Sequence, residues 1–218
     1  MTASAPALTT VAGLPAIING PARPRATLIL AHGAGAGMQH AFMETIATGV
    51  ASENIRVVRF EFSYMAARRE GRRPGPDRAP VLLQAWREVV AEVGKPARTV
   101  IGGKSMGGRM ASMVADELDV AGLVCLGYPF HPSGRPAALR TAHLQRLATP
   151  TLILQGERDT MGSREEVARY RLSKSIGVQW LPDGDHSFKP RKASGVTEAE
   201  NLDTAIEAIV AFVRSATS

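Results

Sequence analysis

Ser105 stands in the stretch GGKSMGG, residues 102–108. Glycine weakens strands and helices alike, so four of them around one hydroxyl need a reason. Gly103-Lys104-Ser105-Met106-Gly107 fits G-x-S-x-G, the pattern of a nucleophile elbow. There a serine sits in a sharp strained turn with its Oγ projecting from a sheet edge. Side chains two residues to either side would clash, hence Gly103 and Gly107. Gly102 and Gly108 are less constrained by that requirement. The N–H of Met106, at the start of a helix, would stabilise an oxyanion forming on an attacked carbonyl. The short pattern alone is weak. One alternative is a glycine-rich turn that merely seats a helix on a strand. Another is a phosphate loop, but G-x-x-x-x-G-K-[ST] needs a glycine at position 98, which is Arg98.

A serine needs a base, and the base needs an orienting carboxylate. With an elbow, the chain order is serine, acid, histidine. His131, His143 and His186 follow Ser105. His186, in DGDHSF after the apolar run IGVQWL, is the expected base. The expected acid follows TLILQG: Asp159, with Glu157 a close rival and Asp183 and Asp185 further ones. Asp185 would more naturally shape its own turn. His131 and Tyr128, in YPFHPSGRP, are expected to line the substrate site. His143 reads as a surface or helix histidine.

A second oxyanion donor is expected from the loop after an early strand. ATLILAHGAGAGM (26–38) supplies it, with the N–H of Ala34 as the candidate and that of Gly35 as the alternative. Gly33 and Gly35 let a substrate approach closely, and Met38 with Phe42 would wall the pocket. His32 precedes the serine and reads as a hydrogen-bonding residue of the turn. A dinucleotide fingerprint is absent, because Met38 and His40 stand where its third glycine or alanine is required.

These residues must be held by a scaffold. Apolar runs at 14–19, 26–31, 55–62, 98–103, 121–127, 149–156 and 176–181 read as strands, several buried on both faces. Helical spacing recurs at 38–52, 79–93, 106–118, 164–172 and 198–215. The alternation predicts an α/β fold: a mostly parallel, doubly wound sheet of about seven strands with helices on both faces. Residues 63–78, rich in arginine, and 128–148 resist assignment. Both follow strands and so belong at the carboxyl edge, where ligands bind. The arginines of 63–78 read as a solvated loop, with attraction of an anionic substrate as the alternative. About twenty residues between Gly127 and the next strand are too few for a large helical lid, so an open, shallow site is expected.

Composition narrows the function further. The 218 residues are 44% hydrophobic, which suits a single domain spanning 1–218. The net charge of +6 would permit nucleic acid, but the arginines are mostly scattered and only 5% of residues are aromatic, so no base-stacking platform is expected. No eighteen-residue apolar run suggests a membrane span, and MTASAPALTT does not resemble a signal peptide. The lone cysteine, Cys125, lies in an apolar run and reads as a core thiol. A cytoplasmic location follows as an expectation, and the sequence does not choose an oligomeric state.

HGAGAGM, GGKSMGGR, LGYPFHPSGRP, LQGERDTMG and DGDHSFKP occur in this order across residues 32–190. In these the chain resembles the α/β-hydrolase superfamily. More closely it resembles the small lidless group of testis-expressed protein thirty and the third regulatory subunit of the NSL complex. The resemblance implies an α/β-hydrolase fold with Ser105 as nucleophile, Asp159 as acid and His186 as base, acting on a small-molecule acyl substrate without metal or organic cofactor. Dienelactone-hydrolase-like enzymes share the lidless architecture but commonly carry cysteine at the elbow. Some relatives serve in a complex, so a catalytically idle binding or scaffold protein is the alternative.

Overall fold

The computed structural model describes residues 8–218. The leader-free reading of the amino terminus falls largely on residues 1–7, outside the described residues. Strands β1 (Leu8–Val11), β2 (Leu14–Asn19), β3 (Thr27–Ala31), β4 (Arg56–Phe60), β5 (Thr99–Lys104), β6 (Gly122–Leu126), β7 (Thr151–Gly156) and β8 (Ile176–Leu181) form one sheet in the order β1-β2-β4-β3-β5-β6-β7-β8. β1 pairs antiparallel with β2, and β2 with β4; from β4 to β8 every pair is parallel.

The sheet has eight strands where the apolar runs predicted about seven. The extra one is β1, LTTV, and three of its four residues are exposed. A short polar strand at a sheet edge has no buried face to write into the sequence. It turns into β2 through Ala12 and Gly13, both at positive φ.

Helices α1 (Ala41–Ser52), α2 (Ser63–Arg69), α3 (Ala79–Val93), α4 (Met106–Ser112), α5 (Arg164–Val167) and α6 (Glu198–Ala216) cover both faces. The central strands alternate between two cores. Leu28 and Leu30 of β3 meet α1 and α6 through Met43, Ile46, Ile209 and Val213. Ile29 and Ala31 face α3 and α4 through Trp86, Val89, Met110 and Ala111. Each such side chain, taken fully out of water, contributes about 1.5–3 kcal/mol. The unassigned stretch 63–78 begins with α2, which buries Tyr64, Met65 and Ala67. The predicted helix 106–118 is regular only to Ser112, and that at 164–172 only to Val167. Between β6 and β7 the regular structure is one 3₁₀ turn, His143–Gln145, so no helical lid covers the sheet edge there.

The parallel register sets the site. Ala31 pairs with Gly103, so the loops after β3 and β5 leave the sheet side by side. Gly156 pairs with Leu181, which does the same for the loops after β7 and β8.

Candidate active site

Ser105 caps α4 with φ 49 and ψ −113, a conformation that costs an L-residue free energy and persists only where its surroundings enforce it. Its N–H donates to the Leu126 carbonyl at 3.0 Å, and its own carbonyl accepts from the Arg109 N–H at 3.0 Å. A Cβ on Gly103 or Gly107 would collide with the Ala31 carbonyl. The structure corrects the expectation for the outer glycines. A Cβ on Gly102 would strike the Val124 carbonyl, and one on Gly108 would lie 2.5 Å from the Gly103 oxygen. All four glycines answer to backbone contact.

His186 lies between Ser105 and Asp159. Its Nε2 is 2.8 Å from Ser105 Oγ and its Nδ1 is 2.7 Å from Asp159 Oδ2. A carboxylate beside Nδ1 makes that nitrogen the proton carrier and leaves Nε2 as acceptor for the serine hydroxyl. Asp159 is fully buried; its Oδ1 accepts from the Met161 N–H at 2.9 Å, and Oδ2 accepts a second bond from Gln155 Nε2 at 2.8 Å. Gln155 is a residue that sequence reasoning missed. Its Oε1 accepts from the Tyr128 N–H at 2.7 Å, so this one amide fixes both the acid and the strand end beside it. The available signal was an amide closing an otherwise apolar strand, since a buried amide needs partners.

The rival acids are engaged elsewhere. Glu157 pairs with Arg164 at 2.6 Å, and Asp183 pairs with Arg191 at 2.5 Å. Asp185 shapes its own turn, accepting from the N–H groups of Ser187 at 2.7 Å and Lys189 at 3.1 Å.

Lys104 is buried, and its Nζ donates to the His186 carbonyl at 2.6 Å while lying 5.5 Å from the centre of the Phe42 ring. Burial pulls its pKa from 10.5 down to about 8, against the opposing pull of Asp159 and Asp185. Gly127, at φ 65, makes room for this contact, because a Cβ there would lie 2.7 Å from the His186 oxygen and 3.1 Å from Nζ.

The loop after β3 is braced from behind. His32 is buried, with Nδ1 2.7 Å from the Gly33 carbonyl and Nε2 accepting from the Phe62 N–H at 3.1 Å. Both bonds are made by neutral imidazole, and desolvation lowers its pKa to about 4. The Tyr64 hydroxyl lies 3.2 Å from the Gly33 carbonyl and 3.1 Å from that of Ala34. With those carbonyls held inward, the N–H of Ala34 makes no hydrogen bond among the described residues, and neither does that of Met106. Tyr64 lies in the stretch the sequence left unassigned, so its contribution was not legible.

Ser105 stands between two lobes of an open cleft. One, of 310 Å³, is lined by Gly33, Gly35, Phe42, Met43, Lys104 and His186. The other, of 450 Å³, is lined by Met106, Arg109, Met110, Pro129 and Arg140; Ala34 and Met161 border both. A larger hollow of 650 Å³, around Ala26, Ile55 and Arg214, lies at the opposite edge of the sheet and contains no nucleophile–base pair.

Three residues expected to line the pocket do not. Met38 is fully buried and its carbonyl is held by Arg59 at 2.9 Å, because the turn before α1 folds it under the loop. Tyr128 is fully buried, its hydroxyl donating to the Arg140 carbonyl at 3.0 Å. His131 turns inward, with Nδ1 2.9 Å from the Pro132 carbonyl and Nε2 3.4 Å from Glu166. His143, expected at the surface or on a helix, opens the 3₁₀ turn and is partly buried, with Nε2 2.8 Å from Ser112 Oγ. Of the arginines in 63–78, Arg69 pairs with Glu61, Arg72 pairs with Glu70, and Arg68 holds the Pro74 carbonyl; none of the five lines either lobe. Among the described residues, no group of three or more His, Cys, Asp or Glu is arranged to hold a metal ion.

A family model described as "Alpha/beta hydrolase domain" matches residues 24–214. Solved structures share the architecture at low identity. A serine hydrolase without a lid from Xanthomonas campestris is 20% identical, with a TM-score of 0.70 over 99% of this chain and 96% of that one. The esterase domain of a Rhodothermus marinus protein is 18% identical, with a TM-score of 0.67 over 93% and 92%. A dienelactone hydrolase from Anabaena variabilis is 18% identical, with a TM-score of 0.69 over 97% and 96%.

Proposed function

The chain belongs to the alpha/beta hydrolase family, and from that premise we propose that it is a serine hydrolase cleaving an ester or related acyl bond through an acyl-enzyme. The observation that carries this reading is the unbroken relay from Ser105 Oγ through His186 to Asp159, at 2.8 and 2.7 Å.

Ser105 Oγ attacks the acyl carbon as its proton passes to His186 Nε2. Asp159 fixes the ring's orientation and stabilises the imidazolium. The free N–H groups of Ala34 and Met106 receive the oxyanion, each such donor being worth on the order of 10²–10³ in rate. Collapse expels the leaving group, which takes its proton from Nε2. Water then attacks the acyl-enzyme with His186 again as base, and Ser105 is restored. Every proton and bond is accounted for by this chain's side chains, its backbone N–H groups and one water. Gly33 and Gly35 leave the substrate room beside the oxyanion donors.

Within the family, the K-S-M-G-G-R and Y-P-F-H-P segments support placing the chain with the small group around testis-expressed protein thirty. The buried lone thiol of Cys125 fits a cytoplasmic location, and no helix of the described residues is long and apolar enough to cross a membrane.

The test is hydrolysis of a panel of acyl esters, thioesters and peptides. Ser105→Ala and His186→Ala are each expected to lower kcat by about 10⁴ or more. A folded wild type that turns over none of them supports the idle binding protein instead.

A further inference from the structure

The second lobe of the cleft contains two unpaired cations. Arg109 and Arg140 stand on its wall. Arg109 Nε is buried without a hydrogen-bond partner, and neither guanidinium forms an ion pair among the described residues. Several other arginines do find carboxylates: Arg69, Arg87, Arg164 and Arg191 reach Glu or Asp oxygens at 2.5–2.8 Å. The two site arginines share one lobe, and burial, with the charge of Arg109 nearby, holds the Arg140 guanidinium below its ordinary value. Asp77 also borders the lobe, but its carboxylate accepts from the Tyr64 N–H at 3.2 Å and forms no ion pair with either arginine. Two like charges gathered in a partly desolvated lobe repel each other and cost free energy unless an anion joins them.

One of them lies one helical turn from Ser105. Arg109 is four residues after Ser105 and donates its N–H to the Ser105 carbonyl. Side chains four apart on a helix share a face with Cβ atoms about 5–6 Å apart, and they lean toward the N-terminus. Arg109 therefore starts from the helix face that carries Ser105, and both residues border the same lobe. The same lobe is lined by Leu82, Met106, Met110 and Pro129, which suit a short methylene chain.

We propose that this lobe is a carboxylate subsite, and that the ester cleaved at Ser105 carries a carboxylate about one helical turn from its scissile carbonyl, as in the half-ester of a short dicarboxylic acid. This rests on the serine hydrolase reading for the cleavage, though not for the binding of the anion. The arginines responsible are those of α4 and of the segment after β6, not the run at 68–78.

The probes are 4-nitrophenyl hydrogen adipate and its neutral methyl ester, compared by the ratio of their kcat/KM values. Charge-assisted pairing predicts a ratio of about tenfold or more in the wild type, falling with added salt. In Arg109→Met/Arg140→Met the ratio is expected near one. The single variants Arg109→Gln and Arg140→Gln, read the same way, serve where the double variant does not fold. A wild-type ratio near one, or a ratio unchanged in the variants, overturns the proposal. A second arm needs no turnover: free adipate should raise the Tm of Ser105→Ala, but not of Ser105→Ala carrying both arginine substitutions. Should neither ester be cleaved, the ratio is lost and this arm alone decides the subsite, while the serine hydrolase reading is judged on the wider panel. No arginine-dependent Tm shift then overturns it.

Discussion

Lys104, immediately before Ser105, donates from Nζ to the backbone carbonyl of His186 at 2.6 Å. The contact joins the elbow after β5 directly to the loop after β8, across 82 residues of sequence. It assigns a role to the one position of GGKSMGG that the elbow geometry leaves free.

Lys104→Met should therefore loosen the His186 loop, lowering kcat by about tenfold with a smaller change in KM, the scale of one lost hydrogen bond. The same residue writes a signature on stability. Its folded pKa is about 8 against an ordinary 10.5. Between those values the unfolded chain holds a proton that the folded one has released, so stability rises with pH across this window. The rise is at most about 3 kcal/mol. Denaturant titrations from pH 7 to pH 10 should show it in the wild type and not in Lys104→Met. Parallel curves would show that the ammonium is not desolvated in solution.

His32 predicts the opposite edge of the pH range. Its pKa is about 4 in the folded protein against 6.5. The unfolded chain takes up the proton first, so stability is lost as pH falls from 6.5 toward 4. Protonation also removes the acceptor for the Phe62 N–H. Urea midpoints across this range should fall more steeply for the wild type than for His32→Gln.

Tyr64→Phe keeps the ring in the core but releases the Gly33 and Ala34 carbonyls. With the oxyanion loop less fixed, kcat should fall by about tenfold and KM change little. A raised KM with kcat unchanged would place Tyr64 in substrate binding instead.

Behind the acid, Gln155→Leu leaves the Tyr128 N–H without its acceptor and removes a donor from Asp159. A cost of about 1–3 kcal/mol is expected for the orphaned N–H, measured by chemical unfolding. Asp159→Asn should leave the fold intact and lower kcat by about 10⁴, because the amide presents the wrong partner to Nδ1.

The convergence of Ser105, Asp159 and His186 was legible because each obeys a local rule. The glycines of 102–108 report backbone contact, and Asp159 and His186 follow buried strands in the order an elbow demands. What escaped was decided by tertiary partners. β1 is a polar edge strand, and Tyr64 looked like part of an arginine loop. Tyr128 and His131 lie in an irregular segment whose inward turn no period in the sequence records. Gln155 reads as a strand residue until its amide is seen between Tyr128 and Asp159. Arg109 carries no signal in the sequence, and its missing partner is visible only in three dimensions.

The central claim, that Ser105 is a nucleophile activated by His186, is tested most directly by a fluorophosphonate probe followed by peptide mass spectrometry. The account predicts a stoichiometric adduct on the peptide containing Ser105, no adduct in Ser105→Ala, and labelling strongly slowed in His186→Ala. An unlabelled folded wild type, or an adduct that persists when Ser105 is replaced, would contradict it.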